Sequence, residues 1–184
     1  MPLQAIKYQQ QARLKADISS LYLEAFPENE RPPLDYFFKS LERKENRLFA
    51  YYEKDVFIGF SFLTIYQDVC YIFFLAVNKM YRHQGYGGQI LELIKKEYQD
   101  YILLLCYEEV DHHYPNYLER LARERFYQSH GFQNNQLKTD EYGVIFQTAF
   151  IGSHQVDFLT YLEIFKLGFG KGNEKYIKEV IPHQ

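Results

Sequence analysis

The residues of this chain best equipped for chemistry are the run Arg82-His83-Gln84-Gly85-Tyr86-Gly87-Gly88. Upstream, Tyr71-Ile72-Phe73-Phe74-Leu75-Ala76-Val77 is unbroken and rich in strand formers. Downstream, Ile90, Leu91, Ile94 and Tyr98 recur at helical spacing. A strand, a glycine turn and a helix in that order make an anion cradle. Gly85 and Gly87 bring no side chain to hold a ligand off the backbone, so successive N–H groups and the positive helix end can face a phosphate. Arg82 adds a planar cationic fork beside them. Spacing narrows the ligand. A Walker loop ends in Gly-Lys-Ser/Thr, whereas Gly87-Gly88 is followed by Gln89-Ile90; the dinucleotide fingerprint GxGxxG meets Ile90 where its third glycine belongs.

What fits is (Arg/Gln)-x-x-Gly-x-(Gly/Ala), carried by Arg82, Gly85 and Gly87, which resembles the pyrophosphate-binding motif of the GNAT superfamily of N-acetyltransferases. A second segment strengthens the likeness. Arg123-Glu124-Arg125-Phe126-Tyr127-Gln128-Ser129-His130-Gly131-Phe132 resembles that superfamily's later motif, a helix ending in Phe-Tyr and then Gly-Phe opening a strand. One β-run, Tyr101 to Tyr107, lies between them as the resemblance requires, and the matched features span Val56 to Phe132.

The resemblance implies an α/β fold with a mixed, mostly antiparallel twisted sheet of about seven strands flanked by helices, and a cofactor gap where strands four and five splay. It implies acetyl-CoA as acyl donor, its pyrophosphate on Arg82, His83, Gln84, Gly85, Tyr86, Gly87 and Gly88, and its pantetheine along the edge formed by Leu75, Ala76 and Val77. Strand addition by an amide-bearing ligand needs free backbone groups more than particular side chains. Tyr127 falls where the family often places an acid for the departing thiolate. Arg120 stands where many relatives carry a pantetheine-binding asparagine, with Asn116 one turn earlier, so Arg120 and Arg123 are candidate cofactor contacts. At about 100° per residue, Leu118, Leu121, Ala122 and Phe126 form the expected core stripe of this helix, and Arg120, Arg123 and Tyr127 a separate polar face.

Acetyl transfer to an amine also needs a base for the ammonium, commonly a carboxylate in the superfamily. The fourth strand, Val69 to Val77, contains no acid. Candidates are Glu108 and Glu109 at the end of strand five, and Glu24, Glu28 and Glu30 in or beside a loop that would wall the acceptor site; Glu108 and Glu28 are taken forward as the catalytic pair with Tyr127. Together these acids would favour a cationic amine. The expected reaction is direct attack, with a backbone N–H near Val77 stabilising the oxyanion. Two other readings remain open: a non-catalytic CoA-sensing or interaction module, which the acid-free fourth strand permits, and an unrelated phosphate-binding α/β protein.

The elements that must position these groups follow from pattern. Leu3–Tyr8 reads as a strand, Ala12–Phe26 as a helix, and Leu34–Arg43 as a short helix opened by Pro33. Arg47–Glu53 and Val56–Gln67 read as strands joined at Lys54-Asp55, with Gly59 a candidate bulge. Phe132–Thr139 and Tyr142–Ile151 read as a last hairpin, Gln155–Lys166 as a helix, and Leu167–Gln184 as a mobile tail or capping helix. Residues 1–152 would form the acyltransferase domain and 153–184 a helical extension packed on or trailing it.

Composition is compatible with this. The 184 residues are 47% hydrophobic, enough for one core, and a net charge of −3 of mixed sign gives no nucleic-acid footprint. No apolar run approaches a membrane span and Met1-Pro2-Leu3-Gln4 lacks the regions of a signal peptide, so a cytoplasmic protein is expected. Cys70 and Cys106, both in expected strands, read as buried hydrophobes. No metal is expected: in Glu108-Glu109-Val110-Asp111-His112-His113, adjacent ligands in an extended run splay apart. A homodimer through the late strands or the Gln155–Lys166 helix is an expectation by analogy.

Overall fold

Period-2 runs of β-branched and aromatic residues alternate with 3.6-period runs along most of the chain, and each becomes a strand or a helix of one layered unit. A computed structural model describes residues 2–171 and 177–180. The elements are β1 (Gln4–Lys7), α1 (Ala12–Ala25), α2 (Leu34–Lys39), β2 (Asn46–Glu53), β3 (Val56–Tyr66), β4 (Val69–Val77), α3 (Tyr86–Glu97), β5 (Ile102–Glu108), α4 (Tyr117–Ser129), β6 (Gln133–Glu141), β7 (Val144–Ile151), α5 (Phe158–Phe169) and β8 (Ile177–Glu179).

The sheet has eight strands in the order β1-β2-β3-β4-β5-β7-β6-β8. Every neighbouring pair is antiparallel except β4 and β5, which run parallel because α3 carries the chain across the sheet between them. Helix α3 packs Ile90, Leu91 and Ile94 on one face of the sheet with Cys70, Ile72, Leu103 and Leu105. The other face is covered by α1 and α2 over Phe60, Phe62 and Phe74, and by α5 over Tyr71 and Leu104.

One irregularity shapes the site. Along β3 and β4, Phe62 faces Phe74 and Leu63 faces Ile72, leaving Phe73 as an extra residue in β4. This β-bulge puts Phe73 and Phe74 on the same face, with Ile72 and Leu75 both on the α3 face. A bulge bends its strand, and here β4 parts from β5. Their pairing ends at Ile72 with Leu105, while β4 stays on β3 as far as Val77 and β5 stays on β7 as far as Glu108.

Several expectations are adjusted. The eighth strand, one more than expected, comes from the stretch expected as a mobile tail or capping helix: Ile177–Glu179 pairs with β6. The same stretch contributes Leu167 to Phe169 to α5, where a Cβ on Gly168 would lie 2.7 Å from the Phe73 ring, so glycine there lets the helix settle on the bulge. Gly172 and the charged residues to Tyr176, with the last four residues, lie outside the described set. Helix α2 stops at Lys39 and continues as a 3-10 turn to Glu42. At Gly59 a Cβ would meet the Ala76 carbonyl oxygen at 2.2 Å; the irregular register lies beside it, at Tyr51/Tyr52.

Candidate active site

The cradle assembles where β4 ends. Asn78 stops the strand: its N–H still donates to the Ile58 carbonyl at 2.8 Å, while its side-chain oxygen accepts from the Met80 N–H at 3.1 Å. Because N–H groups alternate sides along a strand, the backbone of Val77, and with it that of Leu75, faces the gap. The Ala76 carbonyl faces Gly59 on β3 instead. Arg82 is pinned beside the gap, its Nε donating to the Val77 carbonyl at 3.0 Å. Gly85, at φ 83°, is the N-cap of α3, with open space where a Cβ would point. A left-handed residue is cheap only as glycine, and this one aims the first N–H groups of α3 outward.

Its neighbours have other tasks. A Cβ on Gly87 would sit 3.1 Å from the Phe126 ring and one on Gly88 2.5 Å from His130 Nε2, so these glycines let α3 and α4 approach. His83 adopts a positive φ of 61° and is exposed. Gln84 donates to the Met80 carbonyl at 3.0 Å, and the Tyr86 hydroxyl to Glu53 at 3.1 Å. Glu24, expected on the acceptor wall, stands at the cradle, 3.8 Å from Arg82 and 3.6 Å from Lys79.

Across the gap, α4 keeps part of the expected core stripe, with Phe126 packed on the core and Leu121 half-buried, and turns the rest of it outward. Leu118 is 75% exposed and Ala122 is also exposed, whereas Arg120, Glu124 and Tyr127, one i, i+4, i+7 stripe, point inward. The second half of the helix packs Phe126 and Tyr127 on the core beside Tyr107 and Phe132, while Arg120 and Glu124 meet the polar groups of Glu108, Glu109 and Gln147. Glu124 accepts from Gln147 at 2.8 Å and from the Tyr107 hydroxyl at 3.4 Å. Arg120 is buried and committed: it donates to Asn116 Oδ1 at 2.8 Å and to the Glu109 carbonyl at 2.9 Å, lies 3.6 Å from Glu108, and stacks 3.8 Å over Tyr114. Arg123 forms an ion pair with the other oxygen of Glu108. The Glu108 carboxylate, expected as a base, is thus gripped by two guanidiniums and touched by Asn116 at 3.4 Å.

Tyr127 stacks on Tyr107, ring centroids 5.7 Å apart, with Phe126 and Phe132 at its edges. Burial pushes its hydroxyl up to about 12, against the opposing pull of Arg123. Glu28 is exposed in a 3-10 turn, while Glu30, two residues on, is half-buried. Its carboxyl is pushed above the ordinary range by burial, with Arg123 and Arg120 pulling it back. The structure therefore gathers Leu75, Val77, Arg82 and Gly85 on one side of the gap, with Tyr127, Arg123, Arg120, Glu108 and Glu30 on the other, and leaves Glu28 at the surface. Only the bulge and the burial of Glu30 distinguish that outcome, and neither has a signal in the sequence.

The cysteines stand on opposite faces of the sheet and are free; burial pushes Cys70 up, and Cys106 up to about 12. The expected splaying of Asp111, His112 and His113 does not occur. The segment turns instead of extending, so their ligand atoms lie within 4.8 Å of one another, with Asp111 accepting from the His113 N–H at 2.8 Å. Among the described residues no helix is long and apolar enough to cross a membrane.

Comparison with solved structures agrees with this architecture. A GNAT-family protein from Bacteroides thetaiotaomicron superimposes with a TM-score of 0.73 at 20% identity, covering 92% of this chain and 99% of its own. An aminoglycoside 6'-N-acetyltransferase complexed with coenzyme A gives 0.65 at 16% identity, over 80% and 96% of the two chains. The ribosomal-protein-S18-alanine N-acetyltransferase from Escherichia coli gives 0.63 at 16% identity, over 85% and 97%. No curated protein sequence matches this one closely enough to count as a relative. The sequence profile of the Acetyltransferase (GNAT) family matches residues 15–132, well over half of the chain, and the protein belongs to that family.

Proposed function

We propose that this protein transfers an acetyl group from acetyl-CoA to an amine by direct attack. The observation that carries the reading is the parting of β4 from β5 beyond Ile72 and Leu105, which leaves the Leu75 and Val77 backbone groups facing a gap that opens beside Arg82 and the left-handed Gly85. These residues fit a pantetheine pyrophosphate: the Leu75 backbone groups and the Val77 N–H for the amide-bearing arm, and a helix N-terminus with an arginine, itself held on the Val77 carbonyl, for the anion. Acetyl-CoA, when bound, supplies the activated acetyl thioester. An amine acceptor is favoured by the acylation of amines named for two of the structural neighbours, and by Glu30 at the gap, a carboxylate suited to hold an ammonium.

The Val77 N–H is placed to donate to an oxyanion at the gap. Tyr127 keeps its proton at neutral pH. A departing thiolate of ordinary pKa, about 8.5, would take a proton from a hydroxyl near 12 only at a cost of about 5 kcal/mol. Tyr127 therefore acts as a hydrogen-bond donor to developing sulfur charge rather than as a full acid, with Arg123 moderating the cost. Glu108 holds Arg120 and Arg123 in place, and Glu28 is too far into solvent to be the base.

The experiment is a thermal-shift titration with acetyl-CoA, CoA, ATP and NAD, followed by thiol release with an aminoglycoside, free amino acids and an alanine-ended peptide. Acetyl-CoA at about one hundred times its dissociation constant should stabilise the fold by about 2.7 kcal/mol, and thiol release should require an amine. Binding without turnover of any amine would leave the non-catalytic CoA-sensing reading; no stabilisation would remove the cradle.

A further inference from the structure

Behind the gap, on the α5 face of the sheet, four polar side chains form one hydrogen-bonded file through apolar surroundings. Cys106 Sγ lies 3.0 Å from the Tyr71 hydroxyl, Tyr71 lies 3.0 Å from the Tyr161 hydroxyl, and Tyr161 donates to Glu141 Oε1 at 2.5 Å, which also accepts from Thr139 at 2.8 Å. Tyr71, Tyr161 and Thr139 are fully buried and Glu141 is 8% exposed. Phe73, Leu104, Leu137, Ile164, Phe165 and Ile177 enclose the file. The outer end is its only member at the gap. Cys106 is the first residue of β5 past the last β4–β5 pair and is half-buried. The thiol acts on the ionisation of Tyr127 and is itself acted on by Glu30, so it lies within electrostatic reach of two groups that border the gap on the β5–α4 side.

Proton counting fixes the direction of the file. Each hydroxyl and the thiol carries one proton, and two oxygens 3.0 Å apart need a proton between them. With Glu141 ionised, Tyr161 donates to it, and a continuous file then requires Tyr71 to donate to Tyr161 and the Cys106 thiol to rotate and donate to Tyr71, the reverse of the Tyr71-to-Cys106 bond in the structure. With a proton on Glu141 Oε1 the file runs the other way, and Tyr71 donates to Cys106. The two protonation states of one buried carboxylate thus correspond to the two polarities of a continuous wire.

We propose that Cys106, Tyr71, Tyr161 and Glu141 form a proton relay that draws the acceptor amine's proton from the gap to the buried Glu141 carboxylate. The inference rests on the acyltransferase reading and supplies the base that Glu108 and Glu28 do not. In the step, the ammonium N–H bond breaks and its proton joins Cys106 sulfur. The thiol proton passes to Tyr71, the Tyr71 proton to Tyr161, and the Tyr161 proton to Glu141, so that ammonium plus carboxylate become amine plus carboxylic acid with no thiolate left behind. Cys106, Tyr71 and Tyr161 conduct; Glu141 is a positioning and storage residue that never meets the substrate. Burial raises the Glu141 carboxyl to about 7, with Thr139 and Tyr161 lowering and Asp140 raising it, so the sink changes state near neutral pH. Among the described residues, the charged groups outside the file that act on it are Asp140 from β6 and Glu30 from the loop after α1; β4, β5 and α5 contribute its own members.

The test is the pH dependence of kcat/KM, from about pH 5 to 10, for the wild type and for variants that keep their acetyl-CoA melting shift. The wild type should rise to a plateau above about 7. Glu141→Gln and Tyr71→Phe should lose about 10-fold or more near neutrality and replace the plateau with a unit-slope rise towards the acceptor's own pKa. Cys106→Ser, whose hydroxyl can carry the proton, should keep the limb near 7 whatever its rate, Cys106→Val should behave as Tyr71→Phe does, and Glu30→Gln should raise the acceptor KM without moving the limb. Unchanged profiles in folded Glu141→Gln and Tyr71→Phe, or a limb that moves with Glu30, would overturn the relay while leaving the acyltransferase reading intact. A wild type that turns over no amine would overturn both.

Discussion

The two walls of the gap are built by different means. The β4–α3 wall is made largely of backbone: a bulge that bends β4, strand-edge groups at Leu75 and Val77, and a left-handed glycine that exposes a helix N-terminus, with Arg82 pinned to the Val77 carbonyl beside them. The β5–α4 wall is made of side chains tied to one another, with Arg120, Arg123 and Glu108 joined at the end of β5 and the file from Cys106 to Glu141 behind it. Backbone geometry tolerates many sequences and serves a constant ligand. Buried polar networks fail when one member is changed, which suits them to the reaction and acceptor of one protein.

Substitutions can break that contrast. Gly85→Val strains the left-handed N-cap of α3 and fills open space above it; acetyl-CoA affinity should fall about 100-fold with the fold retained, as titration calorimetry and melting curves would show. Unchanged affinity would mean the backbone wall is not where the anion sits.

Glu141→Gln probes the opposite wall through stability. The unfolded carboxyl ionises near 4.5 and the folded one near 7, so folding is progressively penalised as pH rises between those values. The glutamine variant should therefore be more stable than wild type by about 3 kcal/mol near pH 8 and equal to it below about pH 4.5, in denaturant titrations at the two pH values. A stability difference that does not vary with pH would show that Glu141 is ionised without cost. Retaining a destabilising carboxylate where glutamine would serve is what a functional role predicts.

Tyr127→Phe removes a hydrogen bond to developing charge and should lower kcat about 10-fold with KM for acetyl-CoA unchanged, in steady-state thiol release. A normal rate would make the tyrosine a packing residue against Tyr107. The smallest effect is expected at Glu24, an exposed partner of Arg82: Glu24→Gln should tighten acetyl-CoA by about 2- to 5-fold at low salt and by less at high salt.

Much of the first wall was legible. Gly85, Gly87 and Arg82 mark a strand–turn–helix by residue type alone, and period-2 and period-3.6 runs place the flanking elements. What escaped was the division of labour among the glycines: Gly85 frees the backbone, while Gly87 and Gly88 make room for Phe126 and His130, contacts between residues some forty positions apart. On the second wall, the periodicity of α4 was sound but its direction was only partly so: Phe126 reaches the core as expected, while Leu118 and Ala122 face outward and Arg120, Glu124 and Tyr127 turn in to meet Glu108, Gln147 and Tyr107. The order of strands and helices, the glycine turn that opens α3 and the placing of both cysteines in strands were thus set locally, by side-chain size, branching and the freedom of one glycine. The bulge at Phe73, the opening of the gap, the burial of Glu30 beside an exposed Glu28 and the file from Cys106 to Glu141 were decided only in the tertiary structure, because burial and hydrogen bonding between distant residues are properties of the packed chain and leave no period in its sequence.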